Sequence, residues 1–224
     1  MGCARPVPSD DFIRDLEAFK TARLAPIVGA GHTALDATTT AGEPAQLLQI
    51  ALANEISVSE LAGLWIPTTP EIDVKLAFAR QAGDEANHFQ LVADRLSALG
   101  VDLAAFQSPP DNPLFRYLKS LTATVPRIAA GLFTLESIAY GVNENFMALC
   151  ARRGDDETVR IYREYIQPDE RAHQQLGQRL LAKHASTVAL QAVARETVAT
   201  VLEIATTARA QAAAKLGTAC FPGC

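Results

Sequence analysis

Histidine, cysteine, methionine and aromatic residues are all scarce in this chain of 224 residues: four His, four Cys, two Met and 6% aromatics. Three of the cysteines, Cys3, Cys220 and Cys224, sit near the termini, and only Cys150 is internal. That is no disulfide framework for a chain of this length. The Cys220-x-x-x-Cys224 spacing would permit chelation or a bond, but a frayed C-terminus with unpaired thiols is the expectation. No run of 18 or more uncharged apolar residues is present. The best stretch, Leu121 to Val142, is interrupted by Arg127 and Glu136, so no membrane span is expected. The opening MGCARPVPSDD has no apolar signal core. Gly2 looks superficially like an acylation start, but Pro6 stands where Ser or Thr is wanted. A cytoplasmic location follows as the plain expectation. Basic runs are absent too. The densest pair is Arg152-Arg153 and the formal net charge is −5, so nothing in the linear sequence suggests a nucleic-acid partner.

What is plentiful is alanine and leucine, within a hydrophobic content of 49% and a charged content of 20%. Both residues favour helix interiors. The length supports one sizeable core, so residues 1–224 are read as a single all-α domain. Its bundle core spans about 44–184, with an N-terminal helical extension over 1–43 and a C-terminal helix and tail over 185–224. Helical periodicity runs almost throughout, and no alternating strand stands out. Residues 9–24 open with Ser9 and two acids, a helix start, and Pro26, Gly29 and Gly31 are expected to end it. Residues 38–43 read as a loop. The first main helix runs from about Pro44 to Trp65, and the second from Pro70 to Leu99, stopped by Gly100. A connector with three prolines fills 100–113. A third helical region, about 114–152, is expected to break or kink at Pro126. After a turn at 153–156 a fourth runs to His184, with a kink from Pro168. A fifth, about 187–216, is amphipathic and Ala-rich. Two short-linked helix pairs joined by one long connector make a four-helix bundle with a single crossover.

Each of the four main helices places a glutamate on the stripe that should face the core: Glu55, Glu85, Glu136 and Glu170. Desolvating an unpaired carboxylate is expensive, and four converging acids would repel one another. A bound cation is the simplest relief. Two of the chain's four histidines follow at i+3, in Glu85-Ala86-Asn87-His88 and Glu170-Arg171-Ala172-His173. Residues three apart share a helix face, so each pair can reach one ion. Helix surfaces also carry ordinary Glu/His pairs; the repetition of the pattern, in phase on four helices, argues against that reading here.

With this order, Glu then Glu-x-x-His and again Glu then Glu-x-x-His, the sequence resembles the ferritin-like di-iron carboxylate superfamily over roughly residues 44–184. The resemblance implies a ferritin-like four-helix bundle holding two iron ions, or manganese or a mixed pair. Glu85 and Glu170 would bridge the metals, Glu55 and Glu136 would be terminal ligands, and His88 and His173 would each bind one ion. Storage ferritins have a single Glu-x-x-His. The rubrerythrin-like branch carries a further Glu where this chain has Ala139, and ribonucleotide reductase small subunits carry a radical tyrosine where it has Val92. The oxygenase and oxidase branch remains. It implies dioxygen as co-substrate, a small and largely apolar organic substrate, and an electron donor such as a ferredoxin or reductase. The alternative is a non-catalytic or ferroxidase-type metal-handling protein; a third is a metal-free structural module. A homodimer is compatible with the Ala-rich fifth helix.

Other residues carry two readings each. Glu144, two turns past Glu136, is either a seventh carboxylate, a base beside the site or an iron-entry residue, or else a partly exposed residue near the bundle end, the last preferred. Tyr140 and Tyr162 are either hydrogen-bond donors or redox relays beside the site, or core residues with satisfied hydroxyls, the last preferred. Gly131 and Gly141 either open space or allow close helix contact. Asp84 and Asp169, each preceding a ligand glutamate, either support the site or are solvated. Trp65 is read as packing or an interface anchor. His32 and His184 fall outside the stripes and are read as surface residues.

Overall fold

A computed structural model describes residues 7–36 and 43–223. Cys3, Cys224, Gly2 with Pro6, and most of the loop expected over 38–43 lie outside those residues. The described chain is all-helical, with no strand. In order it forms α1 (Ser9–Asp36), α2 (Pro44–Trp65), α3 (Ile72–Ala98), α4 (Pro113–Ser120) and α5 (Thr124–Ile128). A π-helical segment (Ala129–Leu135) leads into α6 (Glu136–Arg152). Then come α7 (Asp156–Ile161), a second π-helical segment (Tyr162–Ile166), α8 (Gln167–His184) and α9 (Val188–Leu216). The pair α2/α3 packs against the pair α6/α8, and α1 and α9 cover the second pair from outside.

The two central pairs follow from their stripes. In α2, Leu48, Leu52, Glu55, Val58 and Ala62 all face inward. Pro44 starts the helix where a missing amide costs nothing. A six-residue turn returns the chain into α3, and the Ser59 hydroxyl donates to the Ala82 carbonyl at 2.7 Å across the pair. Gly100, at φ +83°, ends α3 in a left-handed conformation open to glycine.

Three expectations change. Pro26 does not end the first helix; α1 runs through it to Asp36. Phe12 and Leu16 before the proline and Ile27 and Leu35 after it are all buried, so docking of both halves outweighs the lost backbone bond. The break expected at Pro126 lies instead at 121–123, with Leu121 extended (φ −72°, ψ 125°). Pro126 sits in the first turn of the next helix, where no amide partner is needed. Buried Arg127 closes the break, donating from Nε to the Leu121 carbonyl at 2.9 Å and from Nη1 to Thr69 Oγ1 at 3.0 Å. The C-terminal tail is not frayed. Cys220 is fully buried and its thiol reaches the Gly31 carbonyl at 3.2 Å. Arg209 donates to the Phe221 and Gly223 carbonyls, and the Gly223 amide donates to Asn143 Oδ1 at 3.1 Å.

Pro168 lies two residues after the second π-helical segment, whose end is marked by the Gln167 amide bonding back five residues to Tyr162. The backbone widens ahead of the proline, so the expected distortion takes the form of a π turn. The first π segment is buried at every residue, because α8 lies on one side and α9 on another. Enclosure on all sides explains why residues 121–142 read as the most apolar stretch. Among the described residues, the helix long and apolar enough to cross a membrane is instead Pro44–Trp65, at mean hydropathy 1.2. It is built into the bundle, carries Glu55 inward and has 44% of its apolar window buried.

The apolar interior divides in two. One cluster gathers around Trp65, Phe78 and Phe133; the other gathers around Leu52, Val92, Phe146 and Tyr162. Gly131 permits the first to close: a Cβ there would lie 2.8 Å from the Trp65 ring. Trp65 is therefore a core residue, 5.1 Å from the Phe78 ring. Gly141 likewise brings α6 against Val28 of α1. Both glycines serve close helix contact.

Candidate metal centre

Between the two apolar clusters lies a polar layer. Glu55, Glu85, Glu136 and Glu170, with His88 and His173, are all at most 5% exposed. All six converge. They form two overlapping groups, Glu55–Glu85–His88–Glu170 and Glu85–Glu136–Glu170–His173, in each of which the donor atoms lie within 4.8 Å of one another. Glu85 and Glu170 belong to both groups. Each group joins three carboxylates to one imidazole, and two of the carboxylates are common to both. Mixed oxygen and imidazole donors of this kind suit iron, manganese or zinc.

Both imidazoles have the same orientation. His88 turns Nδ1 inward, 3.3 Å from Glu85 and 3.5 Å from Glu55, and its Nε2 outward to Asp169 at 3.2 Å. His173 turns Nδ1 toward Glu85 at 3.4 Å and Glu136 at 3.7 Å, and its Nε2 to Asp84 at 2.9 Å. Each aspartate immediately precedes a cluster glutamate and reaches the histidine of the other helix. A carboxylate on Nε2 fixes the ring's rotation with Nδ1 facing the cluster; once a cation displaces the Nδ1 proton, the remaining proton sits on Nε2. Asp84 and Asp169 thus support the site, the first of their two readings.

Several buried atoms in this layer lack a hydrogen-bond partner: Glu85 Oε1, Glu170 Oε2, His173 Nδ1 and the Tyr162 hydroxyl. Orphaned polar atoms at this depth are expensive, and three of these four belong to the shared donor set. A cation between them satisfies those three at once. Protons are the other relief. Burial pushes the Glu55 carboxyl up to about 8, with the His88 imidazole opposing. Burial likewise raises Glu136 and raises Glu170 well above the carboxylate range, each reinforced by a neighbouring carboxylate. Glu85 is the exception: burial pushes it up, but the two imidazoles beside it outweigh burial and hold it low. Burial alone would lower both histidines, yet the adjacent carboxylates raise His88 to about 11 and His173 to about 9. A buried Glu/His group of this composition can hold a metal ion.

Two contributors carried no pointer in the motif. Gln81, one turn before Glu85 and 1% exposed, donates its amide to Glu136. Its signal was a polar residue in phase with the core stripe. Lys20, from α1, is 1% exposed and bonds Ser137 Oγ at 2.6 Å, the Phe133 carbonyl at 3.3 Å and Glu17 at 2.9 Å. It braces the π segment that delivers Glu136, and no local pattern announces it.

The remaining candidates fall outside the six. Tyr162 is fully buried, edge-on to Phe146 at 5.1 Å, with an unpartnered hydroxyl rather than the satisfied one expected. Tyr140 is half-buried and Glu144 exposed, accepting from Gln167 at 2.7 Å. His32 is exposed, and His184 pairs with Asp73 at 3.0 Å, away from the centre.

Comparison with curated proteins and with solved structures found no match to either. The profile of one family does match, over residues 49–213, a span from early α2 to late α9 that contains all six cluster residues. The chain belongs to that family, described as protein of unknown function (DUF455).

Proposed function

We propose that this chain is a dinuclear metal enzyme of the ferritin-like di-iron carboxylate type. It would bind two iron ions, with manganese or a mixed pair as the alternative, and use dioxygen to oxidise a small, largely apolar organic substrate. A ferredoxin or reductase would supply electrons. The observation that carries this is the doubled donor set: two groups of three carboxylates and one imidazole, sharing Glu85 and Glu170.

Two adjacent redox ions would supply dioxygen activation, which no side chain in the site can perform. The residues do the rest. Glu85 and Glu170 would span both ions, while Glu55 and Glu136 would each complete one position. Asp84 and Asp169 hold the imidazoles in one rotation and would keep the Nε2 proton in place when Nδ1 binds an ion. Gln81 fixes one Glu136 oxygen. Val92, Phe146 and Ile166, all fully buried, wall off the layer below, and Leu132 and Leu135 do so above. Exclusion of water strengthens every electrostatic contact inside and protects reactive species from quenching.

The test is oxygen uptake by protein loaded with ferrous ions anaerobically, given a chemical reductant and a panel of apolar substrates. Sustained uptake beyond the iron present, dependent on one substrate, is expected. Uptake that stops once the iron is oxidised, whatever the substrate, would overturn the oxygenase assignment in favour of metal handling.

A further inference from the structure

A cavity of about 630 Å³ lies on the outer face of the second helix pair, between α6 and the α7–α8 run. That volume is in the range of small-molecule sites. Its first wall is one stripe of α6: Tyr140, Glu144, Met147 and Ala151. Its second wall carries Arg163, Gln167 and Arg171, at successive steps of four. Both walls come within one helical turn of a cluster glutamate. Tyr140 stands one turn after Glu136, and Gln167 one turn before Glu170.

The charges are uneven. Neither Arg163 nor Arg171 is paired with a carboxylate among the described residues, whereas Arg160, three residues before Arg163 and outside the cavity wall, is held by both Glu157 and Glu164. The cavity's own acid, Glu144, is taken by the buried Gln167 amide at 2.7 Å. Gln167 also donates to the Tyr140 carbonyl at 3.1 Å, so it ties the two walls together where they approach the centre. Two guanidiniums with no carboxylate partner among the described residues, above an apolar floor of Met147, Ala151 and Pro168, are suited to one kind of ligand. An arginine fork matches a carboxylate in geometry and charge, and the floor offers area to a short hydrocarbon chain.

We infer that this cavity binds a small organic carboxylate, its head group on Arg163 and Arg171 and its apolar body on the Met147–Pro168 floor. Its place, one helical turn from Glu136 and from Glu170, would put the ligand beside the metal centre, a role that rests on the metal-enzyme assignment above. The binding itself does not.

Calorimetric titration with hexanoate tests this, with hexylammonium and hexanol as controls. Hexanoate should bind saturably and the controls should not. The double variant Arg163→Ala/Arg171→Ala should weaken hexanoate by about tenfold or more, and Glu144→Gln should strengthen it by removing the opposing charge. Both arginines are exposed, so the fold should survive their loss. Hexanoate affinity unchanged in the double variant, or equal binding of the ammonium, would overturn the assignment. A parallel ferrous-ion titration of the same proteins separates the two ideas. Two equivalents bound with arginine-independent hexanoate would sink the carboxylate site alone. No metal bound with arginine-dependent hexanoate would sink the metal centre alone.

Discussion

Glu170 belongs to both four-residue groups and Glu55 to one, so Glu170→Gln and Glu55→Gln should separate cleanly in a metal titration. At free metal one hundredfold above Kd, each occupied site adds about 2.7 kcal/mol to folding stability. Two sites add about 5 kcal/mol. For a chain of this length about 1 kcal/mol moves Tm by roughly 2–4 °C, so the wild type should melt about 10–20 °C higher with metal than without. Glu55→Gln removes a donor from one group and leaves the other complete. It should keep one equivalent and roughly half of that rise. Glu170→Gln removes a donor from both groups and should lose most of the rise and both tight equivalents. The metal-free proteins provide the control. Burial pushes the Glu170 carboxyl well above the ordinary carboxylate range, so a neutral amide of nearly the same shape is a mild replacement and the metal-free Tm should shift by less than the equivalent of about 1 kcal/mol. Differential scanning calorimetry with and without ferrous or manganous ion, beside equilibrium dialysis, gives both readouts. Full retention of one equivalent by Glu170→Gln, or loss of both by Glu55→Gln, would refute the sharing of ligands.

Three further outcomes follow from the geometry. Glu55, His88 and His173 all have raised values, at about 8, 11 and 9, so the folded metal-free protein holds more protons than the unfolded one. Its stability should be greatest on the acid side of neutrality and fall as pH rises from about 5 through 9, while Glu85, held low, adds an opposing loss only below its ordinary range. Thermal melts from pH 5 to 9 would show this, and metal binding at pH 7 should release protons into the buffer, seen as a dependence of calorimetric heat on buffer ionisation; flat melts and no proton release would contradict it. Asp84→Asn and Asp169→Asn should each weaken metal binding by roughly 10–100-fold while leaving secondary structure intact, measured by competition with a chelating dye; unchanged affinity would mean the aspartates do not orient the imidazoles. Arg209→Leu should release the tail that Arg209 anchors and make Cys220 reactive toward a thiol reagent in the native state, against a slow wild-type reaction; an equally protected thiol would show that packing alone holds the tail.

The centre was legible in the sequence because its geometry is local. Spacings of three and four residues fix which side chains share a helix face, and Glu85 and His88, or Glu170 and His173, needed only that rule. The in-phase glutamates of four helices then converged once the helices paired through short turns. The unreadable features depend on distant contacts or on hydrogen-bond register. Pro26 lies inside a helix because both halves of α1 dock on the same bundle. The π segments differ from α-helix by one residue in backbone pairing, which Ala129–Leu135 does not advertise. Lys20 reaches Ser137 over more than a hundred residues of chain. The tail is held by Arg209 and Asn143, neither of which stands out by type or spacing. Asp84 and Asp169 stand beside cluster glutamates in sequence, yet their partners are the histidines of the opposite pair, a relation visible only after the helices assemble.

Anomalous diffraction from crystals grown with manganous or ferrous ion would probe the centre directly. Two peaks about 3.5–4 Å apart, lying between the Glu85 and Glu170 carboxylates with one histidine nitrogen at each, are predicted. A single peak, peaks away from these six residues, or a metal-free cluster at saturating ion would contradict a two-metal centre.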